Sequence, residues 1–398
     1  MLNLSGEELL NKIVSSLPEK ADIAEARFEG AGVVVFTRNS DFLFKAPEYL
    51  REIAKSFKLR IEARADTSIL IPIEEAKEKI EKIAEGAKIT SIFFDTFRSR
   101  VLIEVERPSV ILGNGAEKLQ EIKKKTLWTP IIYRTPPLKS EIINHIRRVL
   151  TRNSKERANF LNEVGMRIYA EGKEPKWVRV SFLGAAKEVG RSSILLQTPE
   201  SRVLLDCGVN VSSSQNPFPA LDAPEFDIGR LDAVIITHAH LDHVGFLPFL
   251  FKYGYEGPVY MTPPTLPLSV LLQLDYLEVA QREGNLVPYT TKEIEKMVLH
   301  TITLPYDEVT NITPDLRLTF YNAGHILGSA IVHIHVGEGF YNLVYTGDLK
   351  YGPSRLHEPA WNKFPRVEGI IIESTYGGKN DVQPSRKEAE EKLIEIIK

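Results

Sequence analysis

Four potential metal ligands stand within the six residues from His238 to His243. They follow the apolar run Ala233 to Ile236, whose composition predicts a buried strand. On an extended backbone, side chains two positions apart point the same way, so His238 and His240 can face one ion, while a turn would bring Asp242 and His243 alongside. Imidazole and carboxylate groups this close together would repel or stay unpaired unless a cation binds them. The segment therefore predicts a metal centre.

Three more candidate ligands each follow a strand-like run and precede small residues. They are Asp206, His325 in Ala-Gly-His-Ile-Leu-Gly-Ser, and Asp348 in Thr-Gly-Asp. His333 and His335 form another pair, but they lie in the middle of a predicted strand, where alternation puts both on one face. We interpret that pair as structural.

Composition narrows the class of protein. A chain of 398 residues predicts two or three globular units. With 43% hydrophobic and 26% charged residues and no apolar run of about 20, it is not typical of a membrane protein. The amino terminus lacks signal-peptide features, so we expect a cytoplasmic location. The single cysteine, Cys207, excludes an intrachain disulfide and a multi-cysteine zinc knot, which leaves histidine and carboxylate as ligands.

The first half of the chain predicts two similar alternations of helix and strand, followed by a β-rich second half. We place boundaries at residues 1–71, 72–172 and 173–398, because Glu171 to Pro175 combine glycine, charge and proline as interdomain connections do. In the first unit the pattern predicts a helix from Pro47 to Phe57. In the second it predicts a helix from Ser140 that continues to about Ala170.

A glycine-rich turn in the second unit stands beside a concentration of lysines. The turn and its lysines are Gly113, Asn114, Gly115, Lys118, Lys123, Lys124 and Lys125. Glycines let phosphate groups approach backbone N–H groups at a helix start, and lysines add positive charge. RNA binding is one interpretation of this segment, and an ordinary solvated helix face is the other.

The segments around Asp206, His238 to His243, Ala323 to Gly328, Thr346 to Asp348 and Ile371 to Gly378 resemble the metallo-β-lactamase fold of β-CASP nucleases. The whole chain is most similar to archaeal members of the cleavage and polyadenylation specificity factor family. The resemblance implies an α/β protein in which two KH-like α+β modules precede a partial metallo-β-lactamase αββα fold that ends where the β-CASP insertion would start.

The same resemblance implies a site with two zinc ions. One zinc would be held by His238, His240 and His325, the other by Asp242 and His243, with Asp348 between them. Asp206 would orient ligand imidazoles, and Glu373 would support a general-acid histidine. We list Asp206, Asp242 and Glu373 as catalytic candidates.

For the RNA-binding half, the resemblance implies a Gly-x-x-Gly loop that grips the nucleic-acid backbone. The second unit has Ala116 in place of the last glycine. The first unit has Phe44 to Pro47 where the loop should fall, without glycine, so we interpret it as a degenerate module with a packing role. Weak contact with RNA through Arg38 and Lys45 is the alternative.

The predicted function is a zinc-dependent endoribonuclease, with possible 5′-to-3′ exonuclease action, in RNA 3′-end processing or transcription termination. Its partner would be RNA, not a membrane, and a homodimer is possible if a C-terminal region is present. Since the family's general-acid histidine and last zinc ligand would lie beyond Lys398, we expect this chain to bind zinc but to cleave RNA poorly. An RNA-binding and metal-binding protein without activity, and a small-molecule hydrolase of the same fold, are the alternatives.

Overall fold

The first half of the chain consists of two units with the same topology. The computed structural model describes residues 4–213, 215–285, 287–378, 380 and 384–398, apart from the side chain of Asn114. The first unit comprises α1 (Gly6–Ser15), β1 (Ile23–Glu29), β2 (Gly32–Thr37), α2 (Ser40–Phe57) and β3 (Ile61–Ala65). Its sheet has the order β1-β2-β3, in which β1 and β2 are antiparallel and β2 and β3 are parallel.

The second unit repeats this arrangement with one helix split in two. It comprises α3 (Ile73–Ile83), β4 (Ile89–Asp95), β5 (Arg100–Val105), α4 (Ser109–Leu112), α5 (Glu117–Thr126) and β6 (Thr129–Arg134). Its strands are ordered β4-β5-β6 with the same antiparallel and parallel pairs. The internal repeat expected from the sequence is present in the structure.

The prediction that a loop falls at Phe44 to Pro47 is wrong. These residues lie inside α2, which begins seven residues before Pro47 because Asn39 caps it by accepting hydrogen bonds from two backbone N–H groups. Phe42, Leu43 and Ala46 are buried on one face of the helix, and this packing offsets the hydrogen bond that an internal proline removes. Arg38 therefore precedes a helix and Lys45 lies within it, and neither belongs to a nucleotide-binding loop.

The predicted single helix from Ser140 to about Ala170 is two helices. α6 (Glu141–Arg152) ends at Asn153, and α7 (Ser154–Ile168) starts in a new direction. Asn153 donates to the carbonyl of Val149, which satisfies the last turn of α6. The break lets α6 pack on the second half of the chain while α7 returns to β1, where Gly165 meets Phe28 so closely that a Cβ would lie 2.0 Å from the Cβ of Phe28.

The second half of the chain is built on two stacked sheets. The strands of the first are β7 (Arg179–Phe182), β8 (Ile194–Gln197), β9 (Arg202–Leu205), β10 (Ala233–Ile235), β11 (Val259–Met261) and β12 (Thr301–Thr303). The strands of the second are β13 (Thr310–Asn311), β14 (Leu316–Asn322), β15 (Ala330–Val336), β16 (Tyr341–Tyr345) and β17 (Gly369–Ile371). The helices are α8 (Leu241–Val244), α9 (Leu247–Lys252), α10 (Thr265–Arg282), α11 (Thr291–His300) and α12 (Arg386–Ile397).

The two largest apolar cores among the described residues of this half lie on either side of the first sheet. One lies between the sheets and joins side chains such as Leu205, Ile235, Phe320 and Val332. The other lies between the first sheet and its helices, and it includes Val149 of α6. No helix within the described residues is long and apolar enough to cross a bilayer.

The two N-terminal units meet through a buried network of charges. Glu29 of β1 accepts hydrogen bonds from Arg64 of β3 at 2.6 Å and from Arg98 of the second unit at 2.9 Å. The side chain of Arg64 is fully buried and also donates to Glu62, which Arg100 contacts at 3.2 Å. Despite burial, hydrogen bonds and charge from Arg98 and Arg64 hold the pKa of Glu29 far below its usual range. The carboxylate of Glu29 thus compensates guanidinium groups of both units.

Replacing Glu29 with glutamine should destabilise the protein. Removing one charge would leave buried guanidinium groups uncompensated, so we expect the free energy of unfolding to fall by about 3 kcal/mol. Denaturant unfolding monitored by circular dichroism measures this. Glu52→Gln is the matched control, because Glu52 pairs with Lys55 on an exposed helix face. Equal effects of both substitutions would contradict a stabilising role for the network.

Candidate metal centre

The predicted ligands lie at one edge of the stacked sheets, each beyond the end of a strand. Asp206 follows β9, and the segment from His238 leads from β10 into α8. Since β9 and β10 are parallel neighbours, their carboxyl ends lie at the same edge. The second sheet contributes His325, in the turn between β14 and β15, and Asp348, just after β16. Residues far apart in sequence therefore converge.

Four of these side chains form one ligand group. Ligand atoms of His238, His240, His325 and Asp348 all lie within 4.8 Å of one another. The Nε2 atom of His238 is 3.1 Å from Nδ1 of His240, and Nε2 of His325 is 3.2 Å from that same Nδ1. A tetrahedron with metal–nitrogen bonds of 2.0 to 2.1 Å has an edge of about 3.3 Å. The donor set and its spacing therefore fit a tetrahedral ion.

A second group shares Asp348. Nε2 of His243 lies 3.3 Å from Oδ1 of Asp348 and 3.7 Å from Oδ2 of Asp242. The other oxygen of Asp348, Oδ2, lies 3.6 Å from His325 and 3.8 Å from His238. One carboxylate therefore faces both groups, which is the arrangement that a bridging ligand requires.

Asp206 sets the direction in which two of the imidazoles present their nitrogens. It is fully buried and accepts hydrogen bonds from the backbone N–H of Thr237 at 2.7 Å and from Nδ1 of His243 at 2.7 Å. The hydroxyl of Thr237 donates a hydrogen bond to the carboxylate of Asp206. The same hydroxyl accepts a hydrogen bond from Nδ1 of His238 at 3.0 Å. Both histidines thus keep a proton on Nδ1 and leave Nε2 directed at the ligand groups.

Electrostatics separate the two groups. Burial and three neighbouring imidazoles lower the pKa of His238, which keeps this side chain in the neutral form that binds metals. Although burial opposes it, the carboxylate of Asp206 raises the pKa of His243 to about 10. Hydrogen bonding to His243 and its charge lower the pKa of Asp348 against the effect of burial. The carboxylates of Asp206 and Asp348 therefore favour positive charge at this edge of the fold.

The remaining candidates have hydrogen-bond partners outside the two ligand groups. Glu373 accepts a hydrogen bond from the backbone N–H of Thr375 at 3.0 Å, and its support of a general-acid histidine stays a prediction. His333 is hydrogen-bonded to the carbonyl of Arg366 and His335 to the side chain of Asn342, so this pair is structural, as expected.

Sequence reasoning missed two residues that contact Asp206. Thr237 adjoins the histidine cluster, so its position was a usable signal. The hydroxyl of Tyr345, at the end of β16, donates to Oδ2 of Asp206 at 2.8 Å. Nothing in the sequence indicates that this tyrosine meets a carboxylate of the other sheet.

The glycine turn of the second unit leads into α5. Gly115 and Ala116 both adopt left-handed backbone conformations, with φ of 73° and 62°, so Ala116 occupies a conformation that glycine would adopt without strain. Gly113 opens the turn, and the Asn114 side chain falls outside the described part of the chain.

The neighbouring lysines differ in accessibility. Lys124 and Lys125 are exposed, whereas Lys118 donates to the carbonyl of Glu85 at 3.3 Å. Lys123 is half-buried, and burial lowers its pKa. It is therefore less available to a ligand than the sequence suggested.

Comparison with known proteins places this geometry in a family. Residues 186–397, more than half of the chain, match the family model of the metallo-beta-lactamase superfamily. The chain belongs to the metallo-beta-lactamase superfamily. In this superfamily member, residues 5–70 also match the model described as the KH domain of transcription termination factor FttA. The KH match covers the first unit, which the sequence had suggested was degenerate.

Similar proteins share the order of these parts. Transcription termination factor FttA of Methanothermobacter thermautotrophicus is 51% identical over 395 residues, covering 98% of this chain and 62% of that protein. The protein of the same name from Methanocaldococcus jannaschii is 49% identical over 99% of this chain and 63% of its own length. The superfamily member described here thus spans less than two thirds of these relatives. A solved metallo-beta-lactamase fold protein, YhfI from Bacillus subtilis, is 24% identical over 45% of this chain and 65% of its own, with a TM-score of 0.29.

Replacing Gly208 with alanine should disturb the ligand loop. A Cβ at this position would lie 1.7 Å from the carbonyl oxygen of Asp242 and 2.5 Å from the backbone nitrogen of His243. Because the backbone must shift, we expect a loss of roughly 2 kcal/mol in unfolding free energy and weaker binding of divalent ions, measured by denaturation and by calorimetric titration. Gly352→Ala, where a Cβ meets nothing within 4 Å, is the control. Unchanged ion affinity in Gly208→Ala would contradict this placement of the loop.

Proposed function

We propose that this chain carries the metal centre and RNA-binding units of a zinc-dependent ribonuclease that acts in RNA 3′-end processing or transcription termination. The observation that carries the proposal is Asp348, whose two oxygens face two separate groups of ligand atoms. We propose endonucleolytic cleavage as the main reaction, with 5′-to-3′ exonuclease action as a second.

The residues present suit two zinc ions. His238, His240 and His325 would hold the first, Asp242 and His243 the second, and Asp348 would contact both. When bound, such a pair of ions activates water and neutralises charge that develops on a phosphodiester.

The protein's own part is to fix and expose the ligands. Asp206 holds the Nδ1 protons of His238 and His243 directly or through Thr237. The side chains of Asp348 and His325 are 33% and 28% exposed, while that of His238 is fully buried. The centre is therefore buried on the side of His238 and exposed to solvent on the side of Asp348 and His325. An extended polymer such as RNA can approach the exposed side.

The N-terminal half favours RNA as the substrate. A KH-type unit matches residues 5–70, and the second unit repeats its topology with the turn from Gly113 to Ala116 at the start of a helix. The relatives are named transcription termination factors, which supports a role on transcripts. A small-molecule hydrolase would have no use for these units.

A second candidate is an RNA-binding, metal-binding chain with impaired activity. It is favoured by the second ligand group, for which the described residues bring together only Asp242, His243 and the shared Asp348. Cytoplasmic location and a homodimer stay predictions.

Substitution of the ligands tests the proposal. We expect two zinc ions per chain, the loss of one in His238→Ala, and the loss of both in Asp348→Ala, measured by elemental analysis after dialysis. The same substitutions in a full-length relative should lower the rate of RNA cleavage by about 100-fold or more, since the two-ion arrangement is broken. His335→Ala is the control, because His335 is bonded to Asn342 away from the ligand groups. A wild-type chain that binds no divalent ion would refute the proposal.

The RNA-binding role has a separate test. Replacing Lys118, Lys124 and Lys125 by alanine should weaken binding of single-stranded RNA about tenfold and reduce its salt dependence, because fewer phosphate charges are neutralised. Fluorescence anisotropy at several salt concentrations measures both. The control replaces the exposed Lys12, Lys55 and Lys387. If the control weakens binding as much, the lysines of the second unit contribute only general charge.

A further inference from the structure

A hydrogen-bonded triad joins the two sheets behind the metal centre. The hydroxyl of Tyr345, on β16 of the second sheet, lies 2.8 Å from Oδ2 of Asp206, which follows β9 of the first sheet. The hydroxyl of Ser192 lies 2.9 Å from that of Tyr345. We infer that Tyr345 is a positioning residue which, together with Ser192 and Asp206, fixes the second metal subsite formed by Asp242, His243 and Asp348.

The direction of each hydrogen bond follows from the number of protons available. Tyr345 has one hydroxyl proton, and the acceptor-only carboxylate of Asp206 takes it. Ser192 must therefore donate to the oxygen of Tyr345. The backbone N–H of Ser192 donates in turn to the carbonyl of Asp242 at 2.7 Å. The triad thus reaches the backbone of one ligand and, through Asp206, the imidazole of His243.

The position of Tyr345 explains why these contacts matter for the second subsite. Asp348 lies three residues beyond Tyr345, and its Oδ1 must stay near Nε2 of His243, now 3.3 Å away. His243 belongs to the first sheet's loops and Asp348 to the second sheet's. A slide of β16 relative to β9 would change that distance directly, and the hydroxyl of Tyr345 is a polar link between these strands at the level of the centre.

The first subsite depends less on this triad. His238 is oriented through Thr237, whose backbone N–H and hydroxyl both bond to Asp206 without Tyr345. His325 is held by its own loop, in which Ser329 accepts from the backbone N–H of His325 at 3.1 Å. Loss of the tyrosine hydroxyl should therefore weaken the two ions unequally.

This inference rests on the proposed two-ion centre and is tested by metal affinity rather than by RNA cleavage. In Tyr345→Phe, which keeps the buried ring, we expect the affinity for the more weakly bound zinc to fall 10- to 100-fold, as is typical when a partner of a ligand is lost. The affinity for the tighter ion should change less than threefold. Competition with a chromophoric chelator measures both constants in the metal-free chain. Ser192→Ala should act in the same direction with a smaller effect.

Tyr260→Phe is the matched control. Tyr260 lies in the same core between the sheets, is equally buried, and its hydroxyl has no hydrogen-bond partner among the described residues. This substitution should leave both zinc affinities unchanged. Substitution with cobalt(II) adds a spectroscopic readout, because at full occupancy a change in ligand geometry shifts the absorption bands of the second ion.

Three outcomes would decide against Tyr345. Wild-type affinities in Tyr345→Phe, equal weakening of both ions, or a loss matched by Tyr260→Phe would each overturn the inference. A wild-type chain that binds two ions while the full-length relative cleaves no RNA would instead refute the proposed function and leave the role of Tyr345 measurable. A wild-type chain that binds one ion would overturn the inference about Tyr345 alone, and one that binds none would overturn both.

Discussion

The buried carboxylate of Asp206 is the constraint on which the metal centre depends. A fully buried charge is unfavourable unless hydrogen bonds and opposite charge compensate it. Asp206 takes these from Thr237, His243 and Tyr345, and it adopts a left-handed φ of 60° that costs a non-glycine residue energy. Strain is tolerated here because the position brings parts of both sheets to one carboxylate. The carboxylate of Asp206 in turn favours positive charge on the adjacent His243, whose pKa it raises.

Stacking of the two sheets places Asp348 between the two groups of ligand atoms. The apolar core between them fixes their separation, since well-packed interiors resist small displacements. Asp348 comes from one sheet and His243 from the other, so their approach is a property of the whole sandwich rather than of a loop. The backbone around Gly208 is tightly packed. The backbone of Asp242 can approach this position only because glycine has no side chain.

The sequence predicted which side chains come together at this edge, because they follow strands and cluster by residue type; their role as ligands stays a prediction. The cluster from His238 to His243 could be predicted from the spacing of neighbouring residues alone. Its proximity to Asp348 was expected only from the resemblance, and the structure gives the distances. Contacts across the fold carry no such local signal. Tyr345 is indistinguishable from a core residue until its hydroxyl meets Asp206. The helix predicted to begin at Pro47 begins at Ser40 for a related reason, since burial of its apolar face outweighs the local preference of proline.

The same long-range packing determines how the N-terminal half sits against the sandwich. α6 contributes Val149 to the core beneath the first sheet, and α7 packs on β1 of the first unit. Arg157 of α7 is buried and donates to the carbonyls of Leu299 and Thr301, beside the edge strand β12. Burial lowers the pKa of Arg157 to about 9. The two carbonyl acceptors and the charges of Glu29 and Asp95 offset part of the cost of burying this guanidinium. A frame held this way fixes the distance between the N-terminal units and the candidate metal centre, because both halves of the chain contribute side chains to the same buried contacts.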